Sequence, residues 1–127
     1  MTNRAIISTP NAPEAIGPYS QAVKVGNTVW LSGQIPLVPG TMELVTGDIQ
    51  AQARQVFSNL AAVAEAAGGS LASAVKINIS LTDMADFAAV NEVMAEFLQP
   101  PFPARACVQV AGLPKGVAIE VEAILVV

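Results

Sequence analysis

The spacing of apolar residues predicts two helices in the middle of the chain. Between Asp48 and Ala67, apolar side chains recur every three or four residues and so share one helical face. Asp48 suits the N-cap of this helix, and Gly68 suits the position just after its C-terminus. A second helix is predicted from its cap Asp83 to about Leu98, with an apolar stripe formed by Met84, Phe87, Met94 and Leu98.

Five other segments have the alternation or the β-prone composition of strands. They are Ala22–Val25, Thr28–Gly33, Ala74–Leu81, Ala104–Ala111 and Val117–Val126. In the third segment, Val75, Ile77, Ile79 and Leu81 share one face. The dipeptide Gly26-Asn27 predicts a hairpin between the first two strands, and residues 112–116 predict a second hairpin between the last two.

The order of these elements is ββ-α-β-α-ββ, which predicts an α+β fold with both helices on one face of a mixed sheet. The length of 127 residues fits one domain, so we expect a single domain over residues 1–127. Charged residues make up only 13% of the chain, against about 25% in ordinary soluble domains. We therefore expect the uncovered face of the sheet to pack against sister subunits in a homo-oligomer.

Composition argues against several classes of protein. The longest uncharged stretch, residues 25–42, contains glycines, prolines and amides that would interrupt a membrane-spanning helix. Residues 1–19 have no apolar core of the signal-peptide type. The single cysteine, Cys107, can form no internal disulfide, so we expect a cytoplasmic protein without a membrane association.

The charge and the absence of histidine narrow the chemistry further. The net charge is −4 and the six Lys and Arg residues are dispersed, so we expect no nucleic-acid partner. The chain has no histidine, which removes Ser-His and Cys-His catalysis and the commonest metal ligand. We therefore expect no metal site, and chemistry that uses carboxylates, Arg, Lys, Tyr, Ser, backbone amides or bound water.

Arg105, Glu120 and Glu122 are the first candidates for that chemistry. Arg105 begins a predicted strand, and its guanidinium can bind a carboxylate with two parallel hydrogen bonds. Alternatively, it forms an ordinary ion pair with Glu120 or Glu122. These two glutamates share one face of the last strand, where one could orient a water molecule or both could be simply solvated.

Five further residues are candidates for the same site. Asn91 falls on the apolar stripe of the second helix, where a buried amide needs a partner, either a ligand or the backbone of a loop. Tyr19, in Gly17-Pro18-Tyr19-Ser20, and Ser32-Gly33 could approach a ligand or could belong to ordinary turns. Cys107 has no histidine to activate it, so we expect it to supply a backbone N–H beside Arg105 rather than a nucleophile.

Several motifs occur in order along nearly the whole chain. The most specific is Pro103-Ala104-Arg105-Ala106-Cys107-Val108, which is followed downstream by Ile119-Glu120-Val121-Glu122-Ala123. Earlier matches are Ile16-Gly17-Pro18-Tyr19, Ser32-Gly33-Gln34-Ile35-Pro36 and Asp86-Phe87-Ala88-Ala89-Val90-Asn91. Together these residues resemble the RidA (YjgF) family of reactive intermediate deaminases.

The resemblance implies a chorismate-mutase-like fold with a mixed six-stranded sheet, assembled as a homotrimer with its sites in the clefts between subunits. It implies a 2-iminobutanoate/2-iminopropanoate deaminase without a cofactor, which removes imines that arise from enamines such as 2-aminoacrylate. By this resemblance Arg105 binds the substrate carboxylate with the backbone at Cys107. The same cleft would be lined by Tyr19, Ser32, Gly33, Asn91 and Glu120.

Our mechanistic hypothesis gives Arg105 the role of anchor and Glu120 that of holding the attacking water. Two alternatives remain open: a non-catalytic trimer that binds small carboxylates or a regulatory partner, and a nuclease. The segment at residues 99–102 is short for the resembled family, so the sequence leaves the preferred substrate size undecided.

Overall fold

The computed structural model describes residues 4–127, in which six strands form one mixed sheet. The strands are β1 (Arg4–Ile7), β2 (Ala22–Val25), β3 (Thr28–Gln34), β4 (Ala74–Leu81), β5 (Ala104–Gln109) and β6 (Ile119–Val126). Across the sheet their order is β1-β2-β3-β6-β4-β5. All neighbouring strands are antiparallel except β4 and β5, which are parallel and are connected through a helix.

Two α-helices, α1 (Ile49–Ala66) and α2 (Phe87–Phe97), cover one face of this sheet, as the sequence pattern predicts. The backbone N–H of Ala51 donates to the Asp48 carboxylate at 2.8 Å, which confirms Asp48 as the N-cap of α1. Gly68 follows α1 with a φ of +92°, a backbone conformation that favours glycine. None of the helices in the described part of the chain is both long and apolar enough to cross a membrane.

The core lies between the helices and the covered face of the sheet. Along β6, the alternate residues Ile119, Val121, Ala123 and Leu125 are all buried, and α1 packs Val56, Leu60 and Val63 against the sheet. From α2, Val90, Val93 and Met94 join the same core. The uncovered face carries the exposed apolar side chains Trp30, Val108 and Val126.

The predicted hairpin between the last two strands is wrong. β6 does not pair with β5 but lies between β3 and β4, antiparallel to both. The reason is burial: one face of β6 is wholly apolar and needs a central position, whereas most side chains of β5 are exposed and suit an edge. β5 also ends at Gln109, two residues earlier than predicted.

Other differences are local. The alternation identified no strand at Arg4–Ile7, because the exposed side chains of β1 give a pattern too short to detect. Val75 does not share the buried face of β4, because a bulge between Ala74 and Lys76 leaves it 47% exposed. Asp83 caps a single 3₁₀ turn, Met84–Asp86, before α2 begins, so Met84 lies outside the buried stripe.

Candidate active site

Four of the predicted site residues line one cavity at the end of β3, on the uncovered face of the sheet. The cavity has a volume of about 460 Å³. Tyr19, Ser32, Gly33 and Glu120 line it together with Glu122, which is the next residue on that face of β6. The structure thus brings together residues that are about a hundred positions apart in the sequence.

Gly33 makes room for the Glu120 carboxyl group inside this cavity. A Cβ atom added to Gly33 would lie 2.8 Å from Cδ of Glu120 and 3.1 Å from its Oε1. Real Cβ atoms essentially never approach so closely, so any larger residue would displace the carboxyl group. A glycine at this strand end predicts a ligand or another backbone close by, and the structure places the Glu120 side chain there instead.

The surroundings of Glu120 favour its protonated form. Burial raises the pKa of the Glu120 carboxyl group, and the negative charge of Glu122 raises it further. A carboxylate with a raised pKa is a stronger base, better matched to proton transfer near neutral pH than an exposed glutamate.

Tyr19 and Ser32 are fixed by the backbone of the same region. The Tyr19 hydroxyl accepts a hydrogen bond from the backbone N–H of Ile16 at 3.4 Å, and the tyrosine is 49% exposed. The Ser32 hydroxyl donates to the carbonyl of Ser20 at 2.5 Å, which ties β3 to the segment that carries Tyr19. Both side chains therefore face the cavity from a constrained backbone.

Gln21 is a structural residue of this site that the sequence patterns do not predict. It is only 3% exposed, and its amide nitrogen donates to the carbonyls of Thr9, Ala12 and Pro13 at 3.0, 3.3 and 2.8 Å. Its amide oxygen accepts from the backbone N–H of Thr9 at 2.7 Å. Gln21 therefore holds the loop that leads to Tyr19, and nothing in a single sequence distinguishes it from an exposed glutamine.

Asn59 holds the opposite wall of the cavity in a similar way. It is 1% exposed on α1, and its amide nitrogen donates to the carbonyl of Leu37 at 2.9 Å. Leu37 and Ile35 line the cavity. The sequence does contain a signal for this role, because Asn59 is a polar residue on the buried face of α1, between Phe57 and Leu60.

Arg105 and Asn91 lie in a second cavity, of about 470 Å³, between α2 and the start of β5. Nη1 of Arg105 donates to Oδ1 of Asn91 and lies 3.9 Å from the sulfur of Met94. The guanidinium carbon lies 5.0 Å from the centre of the Phe87 ring. Every one of these contacts is neutral, and the remaining walls include Leu98, Phe102 and Pro103.

The prediction that Asn91 is a buried amide is wrong. Its position is exposed, because the buried stripe of α2 runs through Val90, Val93 and Met94 and leaves Asn91 at its edge. The partner of its amide is neither a loop backbone nor the core but the side chain of Arg105. The proposed alternative of a backbone-satisfied amide is therefore not what the structure contains.

The alternative in which Arg105 forms an ion pair with Glu120 or Glu122 is also wrong for the described chain. In residues 4–127 the single ion pair joins Arg54 to Glu96, at 2.9 Å. Arg105 aligns with the buried Ile77 of β4, on the helix side, whereas Glu120 aligns with Ser80 on the uncovered side. One chain therefore divides the predicted site residues between two cavities.

Cys107 lies beside Arg105 on β5 with its side chain against the core. Burial raises the pKa of the Cys107 thiol, and the nearby charge of Arg105 only partly opposes this effect. The thiol therefore stays protonated at neutral pH and is a poor nucleophile. Within the described residues, no group of three His, Cys, Asp or Glu side chains is placed to hold a metal ion.

Comparison with known proteins identifies the family. The family model described as Endoribonuclease L-PSP matches residues 9–127. This chain belongs to that family. It is the RidA (YjgF) family whose motifs the sequence resembles, so the expectation drawn from those motifs is confirmed.

Three relatives span almost the whole chain. The protein named 2-iminobutanoate/2-iminopropanoate deaminase from Dermatophagoides farinae is 54% identical and covers 100% of this chain and 99% of its own. RidA from the Antarctic bacterium Psychrobacter sp. is 58% identical with a TM-score of 0.94, covering 97% and 99%. E. coli TdcF, solved with bound serine, is 48% identical with a TM-score of 0.93, covering 97% and 98%. These structures confirm the predicted RidA fold.

Proposed function

We propose that this RidA family member hydrolyses short 2-imino acids, 2-iminobutanoate and 2-iminopropanoate, to 2-keto acids and ammonia. The observation that carries the proposal is the guanidinium of Arg105, which borders an open cavity and contacts only neutral groups. A guanidinium without a carboxylate partner can pair with an anionic ligand. Its planar arrangement of donors suits a carboxylate. The name of the Dermatophagoides relative, which is 54% identical, supports the same substrates.

The structure of E. coli TdcF with bound serine supports a ligand of this size that carries a carboxylate. Serine has a carboxylate on a carbon that carries nitrogen, as a 2-imino acid does. We propose that the substrate carboxylate binds Arg105 and that the backbone N–H of Cys107 adds a second donor. Asn91 holds the guanidinium from the other side.

We further propose that the complete site forms between subunits of a homotrimer. The division of the site residues between two cavities supports this, because the cavity of Arg105 in one subunit can face the cavity of Glu120 in the next. The exposed apolar residues Trp30, Val108 and Val126 on the uncovered sheet support an interface there. In this assembly Tyr19, Ser32 and Gly33 would line the cleft beside Glu120.

The chemistry that we propose needs no covalent intermediate with the protein. Arg105 fixes the carboxylate and thereby the orientation of the C=N bond. A water molecule attacks the carbon of the protonated imine while Glu120 accepts one of the protons of the water, and a neutral carbinolamine forms. Glu120 then returns this proton to the nitrogen, the C–N bond breaks to release ammonia, and the carbinolamine hydroxyl loses its proton to solvent as the C=O bond forms. The overall reaction consumes one water molecule and one imine, and yields one keto acid and one ammonia.

The reaction that supplies the substrate must release an imine or an enamine into solution. Pyridoxal-phosphate-dependent dehydratases acting on serine or threonine do so, giving 2-aminoacrylate or its homologue, which tautomerises to the imine.

We place the activity in the cytoplasm, since a chain with one cysteine and no internal disulfide has no need of an oxidising compartment.

A coupled assay tests the proposal. A serine or threonine dehydratase generates the imine, and keto-acid release is followed with this protein absent, present or replaced by Arg105→Ala. We expect acceleration by the native protein and loss of it in the variant, because a charge-assisted bidentate contact is removed. Arg54→Ala is the matched control, since it removes a surface arginine of α1 that pairs with Glu96 of α2. Equal acceleration by the native protein and Arg105→Ala would refute the proposal.

The same preparations distinguish the alternatives. Tight binding of 2-oxobutanoate without any acceleration would favour a non-catalytic carboxylate-binding trimer. Cleavage of RNA that survives purification and disappears in Arg105→Ala would favour the nuclease activity that the family description names. The net charge of −4 and the absence of histidine support a small anion over RNA as the ligand.

A further inference from the structure

The most informative contact that the proposed function does not use is the one between Arg105 and Phe87. The ring of Phe87 lies 5.0 Å from the guanidinium carbon, within the range of a cation–π interaction. Phe87 is not among the residues that line the cavity of Arg105, so the contact that it makes with this site is the one with the guanidinium itself. It is half-buried and packs against the core, which fixes the position of its ring.

We propose that Phe87 is a positioning residue that holds the guanidinium of Arg105 in place, through the face of its ring, for binding the substrate carboxylate. The inference rests on the proposed function of Arg105 and extends it to a residue outside the lining of the cavity. Without such a support, a long exposed side chain samples many rotamers, and each bound ligand must bear the entropic cost of ordering it.

The spacing along α2 explains how the support is built. Phe87, Asn91 and Met94 follow at intervals of four and three residues, so they form one stripe along the helix. The ring lies against the guanidinium, while the amide oxygen of Asn91 and the sulfur of Met94 contact the same nitrogen, Nη1. This stripe is the edge of the apolar face, and its members Phe87 and Met94 pack against the core as well as contacting Arg105.

The neutrality of the three contacts has a functional consequence. A carboxylate at any of these positions would also hold the guanidinium, but it would neutralise the charge on which the substrate depends. An aromatic face attracts the cation through its quadrupole and leaves the positive charge of the guanidinium uncompensated. In residues 4–127 no acidic side chain forms an ion pair with Arg105, which agrees with this arrangement.

The experiment measures binding of 2-oxobutanoate, the stable keto-acid product, by calorimetry. The variants are Phe87→Leu, which removes the ring, and Phe87→Tyr, which retains it. Phe97→Leu is the matched control, because it removes a ring from the same helix that stacks on Phe57 instead, at 5.6 Å. Arg105→Ala is measured in parallel, and thermal unfolding of each variant records its effect on stability.

We expect Phe87→Leu to weaken binding about three- to tenfold, which corresponds to about 0.7–1.4 kcal/mol. Phe87→Tyr should restore the native affinity, and Phe97→Leu should lower stability without changing affinity. Because imine turnover depends on the same anchor, Phe87→Leu should raise KM more than it lowers kcat.

Each other result overturns a different claim. Native affinity in Phe87→Leu, with binding lost in Arg105→Ala, would refute the role of Phe87 and leave the proposed function intact. Equal weakening by Phe87→Leu and Phe97→Leu would mean that both rings act only through stability, which also refutes it. Native affinity in Arg105→Ala, or no binding by the native protein, would refute the proposed anchor and this inference with it.

Discussion

Gly33 of β3 lies so close to Glu120 of β6 that the carboxyl group of Glu120 fills the space that a side chain at position 33 would occupy. A Cβ atom on Gly33 would lie 2.8 Å from Cδ and 3.0 Å from Cγ of Glu120. The backbone of Gly33 does not have a positive φ, so only this contact, and no backbone strain, excludes a larger residue. The glycine therefore determines where the proposed base can lie.

Gly33→Ala should impair catalysis without unfolding the protein. The new methyl group would push the flexible Glu120 side chain from its position, and a displacement of about 1 Å at a reacting group can cost about a hundredfold in rate. We expect kcat to fall by about that factor while the melting temperature changes little. Gly112→Ala is the control, because its added Cβ would meet nothing within 4 Å. Native turnover in Gly33→Ala would mean that the position of Glu120 is unimportant.

Helices and caps could be predicted from the sequence because their signals are local. The face of α1, its cap Asp48 and the glycine at position 68 depend on neighbours within a few residues, and all are confirmed. The placement of Glu120 and Glu122 on one face of β6 is likewise a consequence of alternation.

Strand pairing and the division of the site could not be predicted, because they depend on contacts between distant segments. The alternation in β5 and β6 is compatible with a hairpin. β6 lies between β3 and β4 because the central position buries its apolar face, and this depends on the whole sheet. The same pairing places Arg105 and Glu120 on opposite faces of the sheet. The four hydrogen bonds of Gln21 to residues 9–13 are equally non-local.

Asn91→Asp should weaken ligand binding by neutralising Arg105. The two side chains have the same shape, but aspartate would place a carboxylate on Nη1 of Arg105, where the neutral amide oxygen now lies. A substrate carboxylate would then compete with an internal charge-assisted hydrogen bond, so we expect the Kd of 2-oxobutanoate to rise about tenfold or more. Calorimetry measures this, with Asn91→Ser as a control that removes the contact without adding charge. An unchanged Kd in Asn91→Asp would contradict the role of Arg105 as the anchor.

Gln21→Leu should destabilise the protein and loosen the cavity of Tyr19. The substitution leaves the backbone groups of Thr9, Ala12 and Pro13 without their buried partner, which should lower the free energy of unfolding by about 2–4 kcal/mol. Because this loop leads to Tyr19, KM should also rise. Denaturant unfolding and initial rates measure the two effects. Gln52→Leu, which loses one exposed hydrogen bond to Gly47, should change stability by about 0.5 kcal/mol or less. Similar losses in both variants would argue against a special role for Gln21.

Glu122→Gln should move the acid limb of the pH–rate profile to lower pH. Glu120 acts as a base in its ionised form, so the rate rises as pH rises through its pKa. Burial is the larger cause of the raised pKa of Glu120, and the charge of Glu122 raises it further. Glu122→Gln removes this charge, so the pKa of Glu120 falls and Glu120 stays ionised in more acidic solution. The plateau rate should be unchanged, since Glu122 does not react.

The raised pKa of Glu120 also makes the stability of the folded chain depend on pH. A carboxyl group whose pKa is higher in the folded chain binds its proton more tightly there, so its contribution is fully present at low pH. That contribution is lost as pH rises through the folded pKa of Glu120. Glu120→Gln should therefore abolish turnover yet raise the melting temperature at neutral pH relative to the native protein.

Glu65→Gln is the control for both variants. It makes the same change of charge at an exposed position of α1, so it should alter neither the acid limb nor the melting temperature. An acid limb that stays in place in Glu122→Gln would show that Glu122 does not influence the proposed base.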